Sequence, residues 1–196
     1  MAKAGRFDRQ AWDWPVYQPL LETALAHGLP VVAANLSRAE ARRVVSGGIA
    51  ALGDPALAAA VALADTPARR AALETDILEG HCGHRFPAPT LAGMVAAQQA
   101  RDALMARIAA RAALDAGRRG AVLITGSGHA RKDRGVPAYL PPGLRAISLA
   151  FVETAGPDAG AAVPAPGAET IYDYVWPTAA APRTDPCLAF RKPAAR

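Results

Sequence analysis

The chain is poor in cysteine, in aromatic residues and in long apolar runs, and each shortage excludes something. Cys82 and Cys187 are the two cysteines among 196 residues, too few for a disulfide framework, and no CxxC pair exists to build a structural zinc knuckle. A single bridge between them belongs only in an oxidising compartment. Aromatic residues make up 6% of the chain and are not interleaved with the basic ones. The net charge of +5 comes from scattered arginines such as Arg42, Arg43, Arg69, Arg70, Arg118 and Arg119, a pattern that argues for no nucleic acid partner. A small anionic ligand carrying carboxylates suits it better. No stretch approaches the roughly 20 consecutive apolar residues of a membrane-spanning helix. The opening MAKAGRFDRQAWDWP has neither an apolar signal core nor a cysteine for lipid attachment, which at face value reads as cytoplasmic.

What the chain does contain is alanine-rich helical sequence broken by short β-branched runs, over a length that fits one domain. Pro15 to His27 reads as a helix with proline in its first turn, stopped by Gly28, and Leu29 to Ala34 follows as a short apolar strand. Ser37-Arg38-Ala39-Glu40 is a capping box opening a helix that runs to Gly47-Gly48. Helices are predicted over Pro55 to Ala64, from Thr66-Pro67 towards Glu79, and over Thr90 to Ala116, with Gly80 to Pro89 as a loop. Further strands are predicted at Ala121 to Thr125, Arg145 to Val152 and Thr170 to Val175. Ala155 to Gly167 reads as a flexible connection, and the proline-rich residues after Thr178 as irregular. The alternation predicts an α/β fold, a mostly parallel sheet with helices on both faces, as one domain over residues 1–178 with a tail over 179–196. Four strands are few for so many helices, a first sign that a piece of the domain is missing.

The stretch Ala121 to Pro137, AVLITGSGHARKDRGVP, changes character abruptly. An apolar run suited to a buried parallel strand breaks into Gly126-Ser127-Gly128-His129, and ligands in open α/β sheets bind at the carboxyl ends of strands. His129 there can bind a metal or hydrogen-bond an anion, with Arg131 and Lys132 supplying charge beside it, or it can be a solvated turn residue. If the strands run parallel, Asn35 and Glu153 end on the same edge. An amide, an imidazole and a carboxylate then converge, although each alone also reads as an ordinary turn or strand end. Zinc or copper donor types recur in His81-Cys82-Gly83-His84, without a second cluster at finger-like spacing. On the long helix Met94, Gln98, Arg101 and Met105 share one face with Asp102 beside it; Met105 at that spacing reads as core before it reads as an axial haem ligand. Trp12, Trp14 and Tyr17 gather at the first helix as a packing anchor, and Tyr17 and Tyr139 have the phenol that ligates ferric haem iron as tyrosinate.

Taken in order, WDWPVYQPLLETALAHGLPVVAAN, MVAAQQARDALMARIA, VLITGSGHARKDRGVPAYL and DYVWPTAAAPRTDPC resemble the ChaN-like haem-binding uptake proteins of the wider Tiki and TraB group. The resemblance implies an α/β fold of EreA/ChaN type and haem or iron binding without turnover. Tyr17, Tyr139 or His129 would meet the iron, Arg131 and Lys132 the propionates, and Asn35, Gly126, Gly128, Gln98, Arg101 and Asp102 would support the site. Some Tiki relatives are instead metal-dependent proteases. That alternative makes His129 and Glu153 ligands of a divalent ion, and a third reading is an inactive truncated homologue. Relatives begin with a strand leading into Gly-Glu-x-His, which this sequence does not contain, so the resemblance implies a fold incomplete at its N-terminus and a half-built two-histidine site. It also implies the cell envelope or periplasm, with a membrane as partner only through a missing lipid anchor. Lost strands would expose apolar edges, which predicts poor stability or oligomerisation, a homodimer among the outcomes.

Overall fold

The helix caps written in the sequence are the points at which the helices begin. A computed structural model describes residues 14–115, 120–154 and 171–190 and divides into two units, residues 1–34 and 35–196. Trp12, the Arg118-Arg119 pair and the predicted connection 155–167 lie outside the described residues.

In the first unit, α1 spans Trp14–Ala26 and ends at Gly28, where the Leu29 amide donates to the Ala24 carbonyl at 2.8 Å. The residues after it, predicted as a strand, are extended but pair with nothing in the described sheet.

In the second unit, α2 (Arg38–Gly47) starts at the predicted capping box. The Glu40 amide donates to the Ser37 hydroxyl at 3.2 Å, and the Ser37 amide donates back to the Glu40 carboxylate at 2.8 Å. A 3₁₀ turn, Ile49–Leu52, leads to α3 (Pro55–Ala64), whose cap Asp54 accepts from the Leu57 amide at 2.9 Å and from Arg107 at 2.7 Å. Thr66 caps α4 (Pro67–Gly80), accepting from the Arg69 amide at 3.2 Å.

The spine of this unit is α5, Ala88–Asp115, whose 28 residues extend about 42 Å at the helical rise. Three helices lie against it in succession. Val44 of α2 packs with Ala97 and Ala100; Leu57 and Val61 of α3 pack with Ala103; Leu73 and Ile77 of α4 pack with Val95. Small residues on the contact face let backbones approach, and Gly93 sets the limit: a Cβ there would lie 2.2 Å from the Val45 carbonyl oxygen. Met105 is buried, with the Thr125 hydroxyl 3.7 Å from its sulfur.

The sheet is smaller than predicted. Among the described residues it has two parallel strands, β1 (Leu149–Thr154) and β2 (Tyr174–Ala179), paired from Leu149–Tyr174 to Thr154–Ala179. Both start about four residues later than the sequence suggested, because Asp173 ties their beginnings: its carboxylate accepts from the Ser148 amide at 2.8 Å and its amide donates to the Ser148 carbonyl at 2.9 Å. The predicted strand Ala121 to Thr125 is unpaired, with Val122 90% exposed. An apolar run becomes a strand only beside a partner that takes its amides and carbonyls, and the described residues offer this one none. The fold is therefore a helix-rich α/β arrangement with a small parallel sheet. Within the predicted tail, Pro186–Phe190 forms a 3₁₀ turn, and Cys187 is disulfide-bonded to Cys82. No described helix is long and apolar enough to cross a membrane.

Candidate functional site

After the unpaired Ala121–Thr125 segment, the GSGH turn closes into a short helix, α6 (Ser127–Ala130), capped by Gly126 and fastened by the His129 amide donating to the Gly126 carbonyl at 3.0 Å. Neither Gly126 nor Gly128 has a positive φ. The glycine that the turn cannot do without is Gly135, where a Cβ would meet the His129 carbonyl oxygen at 2.3 Å. Gly135 also donates its amide to the Arg131 carbonyl at 2.9 Å, and the Ser148 hydroxyl donates to the Ala130 carbonyl. The histidine therefore stands on a loop pinned from both sides.

Its partner is the acid on α5. His129 Nδ1 lies 2.6 Å from Asp102 Oδ1, and Asp102 is 2% exposed. Burial pushes the Asp102 carboxyl up from its ordinary range, while the hydrogen bond and charge of His129 and the charge of Arg101 pull it down. A carboxylate accepting from Nδ1 orients the imidazole and leaves Nε2 outside that hydrogen bond. One helical step away, Arg101 donates to Asn35 Oδ1 at 2.7 Å and to the Leu36 carbonyl at 3.3 Å. Burial lowers the Arg101 guanidinium's pKa, and the charge of Asp102 opposes that. Asn35 is thus an anchor for Arg101.

His129 faces a cleft of about 210 Å³ between α4, α5 and α6. Leu73, Ile77 and Met94 supply its apolar lining; Gln98 also lines it, and its buried Oε1 has no hydrogen-bond partner among the described residues. Asp76 and His81 also line it, and neither was a candidate for this site in the sequence. The α4 wall is fastened to the loop after α6 by Arg134, whose guanidinium grips both Asp76 oxygens at 2.6 and 2.7 Å and reaches Asp133 at 2.7 Å. Charge-charge spacing of 58 residues between Arg134 and Asp76 carries no local signal, which is why the pair was illegible before folding.

The remaining candidates lie elsewhere. Glu153 is on β1, hydrogen-bonded by Arg183 at 2.9 Å, and does not line the cleft; the acid beside His129 is Asp102 instead. Two parallel strands with an intervening unpaired run do not bring Glu153 to the histidine's edge as a wider sheet would. Tyr139 sits in the 3₁₀ turn Val136–Tyr139 against Leu57, Val61 and Ala103, with its hydroxyl buried and without a partner among the described residues. Burial, then the negative charge of Asp102, push its phenol upward, the reverse of what a tyrosinate ligand needs, with Arg69 opposing. Tyr17 is half-buried on α1 of the first unit. Arg131 is paired with Asp133 at 2.9 Å and Lys132 with Asp173 at 2.7 Å, so an incoming anion would exchange with those carboxylates. Among the described residues, no three His, Cys, Asp or Glu side chains are grouped to hold a metal ion.

Fold and site together define a helix-rich α/β protein with an acid-braced histidine at the turn after an apolar segment. A family described as haem-binding uptake, Tiki superfamily, ChaN, matches residues 1–140, well over half of the chain, and the chain belongs to that family. Neither the curated proteins nor the solved structures contain a match.

Proposed function

We propose that this protein binds haem or iron in uptake, by association without turnover. The observation that carries the reading is His129, with Nδ1 held by the buried Asp102 at 2.6 Å and its ring on an open cleft. The His129 imidazole would be the residue to hold the iron, and a bound haem would supply that Lewis-acid centre. The residues fit that group in part. The cleft's volume of about 210 Å³ is below the ~300–1,000 Å³ of sites that enclose a whole ligand, so it would not enclose an entire haem. Leu73, Ile77 and Met94 give it an apolar wall, and Arg131 and Lys132 lie on the loop just beyond His129 for carboxylates. Tyr139 is a poor ligand here, because its hydroxyl is buried and the residue does not line the cleft.

The Cys82–Cys187 disulfide supports residence in an oxidising compartment, and with it the cell envelope or periplasm. Haemin titration of the full chain, read at the Soret band, tests the function. A saturable shift that His129→Ala abolishes or weakens is expected. Identical titrations of both proteins would discard His129, and no saturable shift in either would discard haem binding.

A further inference from the structure

Arg69 is one of the arginines scattered without pattern along the sequence, and folding brings it from the first turn of α4 to the loop after α6. Its Nε donates to the Asp133 carbonyl at 3.3 Å, and its guanidinium carbon lies 5.8 Å from the centre of the Tyr139 ring. A carbonyl and a π face are neutral partners, so they orient the cation without cancelling its charge. Among the described residues, Nη1 and Nη2 of this half-buried side chain have no acceptor, and it has no carboxylate partner. The other charges around it are spent. Arg131 holds the Asp133 carboxylate by two hydrogen bonds, at 3.0 and 2.9 Å, and Arg134 reaches the same carboxylate at 2.7 Å. Arg134 also grips both oxygens of Asp76, while Asp65 is taken by Arg70 and by Gln99. Arg69, Arg131 and Arg134 thus meet the carboxylates of Asp76 and Asp133 alone, and the surplus positive charge is that of Arg69.

Arg69 lines a second cavity, of about 170 Å³, with Thr66, Ala68, Ala72, Asp133 and Arg134. It shares no lining residue with the histidine cleft, and the Arg134–Asp76 ion pair stands between the two, with Arg134 on this side and Asp76 on the other. The volume is several times the ~30 Å³ of one water and below the ~300–1,000 Å³ of sites that enclose a drug-sized ligand, so a compact group fits. Thr66 adds a donor, because its oxygen accepts from the Arg69 amide at 3.2 Å and its O–H is left to donate. Ala68 and Ala72 take little of the space. An oriented guanidinium fork with a hydroxyl beside it is the chemistry that recognises an oxyanion.

We infer that this cavity is an anion site, separate from the histidine cleft, in which Nη1 and Nη2 of Arg69 and the Thr66 hydroxyl hold a compact oxyanion, a phosphate or a carboxylate group. The test titrates the full chain with inorganic phosphate and, separately, with acetate, by isothermal calorimetry at constant ionic strength. Wild type is compared with Arg69→Gln, Arg69→Lys, His129→Ala and Arg42→Gln. Arg42 is exposed on α2 and does not line the cavity, so its replacement removes the same charge elsewhere. Saturable binding is expected in wild type, unchanged in Arg42→Gln and His129→Ala and weakened at least about tenfold in Arg69→Gln, with Arg69→Lys between because it keeps the charge and loses the fork. Tighter binding of phosphate assigns a phosphoryl group to the site, and tighter binding of acetate a carboxylate. Equal weakening in Arg69→Gln and Arg42→Gln would reduce the effect to the overall charge of the chain and overturn the site. Loss in His129→Ala would move the anion to the histidine cleft and overturn it too, as would the absence of saturable binding of either anion. Should Arg69→Gln fail to fold, phenylglyoxal labelling of the wild type, read by mass spectrometry, decides: phosphate or acetate must protect Arg69, and labelling unchanged by both anions overturns the inference.

Discussion

At the residue scale, the decisive contact is between two side chains 27 positions apart, His129 and Asp102. Asp102→Asn keeps the size of the acid but removes the charge that makes the imidazole a better donor, so haemin affinity is expected to fall about 10- to 100-fold. The melting temperature should hold or rise, because burial of the Asp102 charge is the largest influence on that group and works against its ionised form. Calorimetry beside the haemin titration checks both; a large loss of stability would mean that the pair is structural. Asp54 gives the pH counterpart. The Arg107 hydrogen bond, then the Leu57 amide, hold its carboxyl below the ordinary value. A depressed folded-state value stabilises the fold above about pH 4, where the unfolded carboxyl is ionised, and that contribution disappears as pH falls through the folded value. Asp54→Asn retains a cap and loses the charge, so its stability deficit should be present at pH 7 and shrink below about pH 4, as urea titrations at several pH values will show.

At the scale of elements, helices and strands behaved differently. Ser37-Arg38-Ala39-Glu40, Asp54-Pro55 and Thr66-Pro67 start helices where the sequence placed them, because a cap is satisfied by residues three positions away. The run AVLIT did not become a strand, because its ladder would have to come from a distant segment. Packing of α2 on α5 depends on Gly93, where a side chain would collide with the Val45 backbone. Gly93→Ala is therefore expected to destabilise by about 1–3 kcal/mol despite alanine's better helix propensity, read as a lower urea midpoint; an unchanged or higher midpoint would contradict the close approach.

At the scale of the whole molecule, the disulfide closes a loop with a sequence separation of 105 residues. In the chain-entropy picture such a loop contributes about 4–5 kcal/mol, and Cys187→Ser should cost about 2–5 kcal/mol. Denatured, oxidised protein should show no free thiol in a thiol titration, and two titratable thiols would refute the bridge. Val122, Ile124, Ile147, Phe151 and Trp176 are exposed, and the described two-stranded sheet leaves an outer edge on each strand. Unpaired edges with apolar neighbours favour strand-to-strand association, so sedimentation velocity should show mass rising with concentration. A single monomeric species across the range would remove that expectation.

Local sequence by itself determined the helix starts, the long α5 spine, the glycine-rich turn carrying His129 and the character of the donors, because caps, turns and periodicity act over a few residues. It also carried the ordered motifs by which the family was legible. Only the tertiary structure decided that Asp102 and not Glu153 braces the histidine, that Arg134 straps the turn to Asp76, that His81 shares the cleft, and that AVLIT pairs with no strand among the described residues. Those outcomes join residues tens of positions apart, and a hydrogen bond across such a distance exists only once the intervening chain has packed.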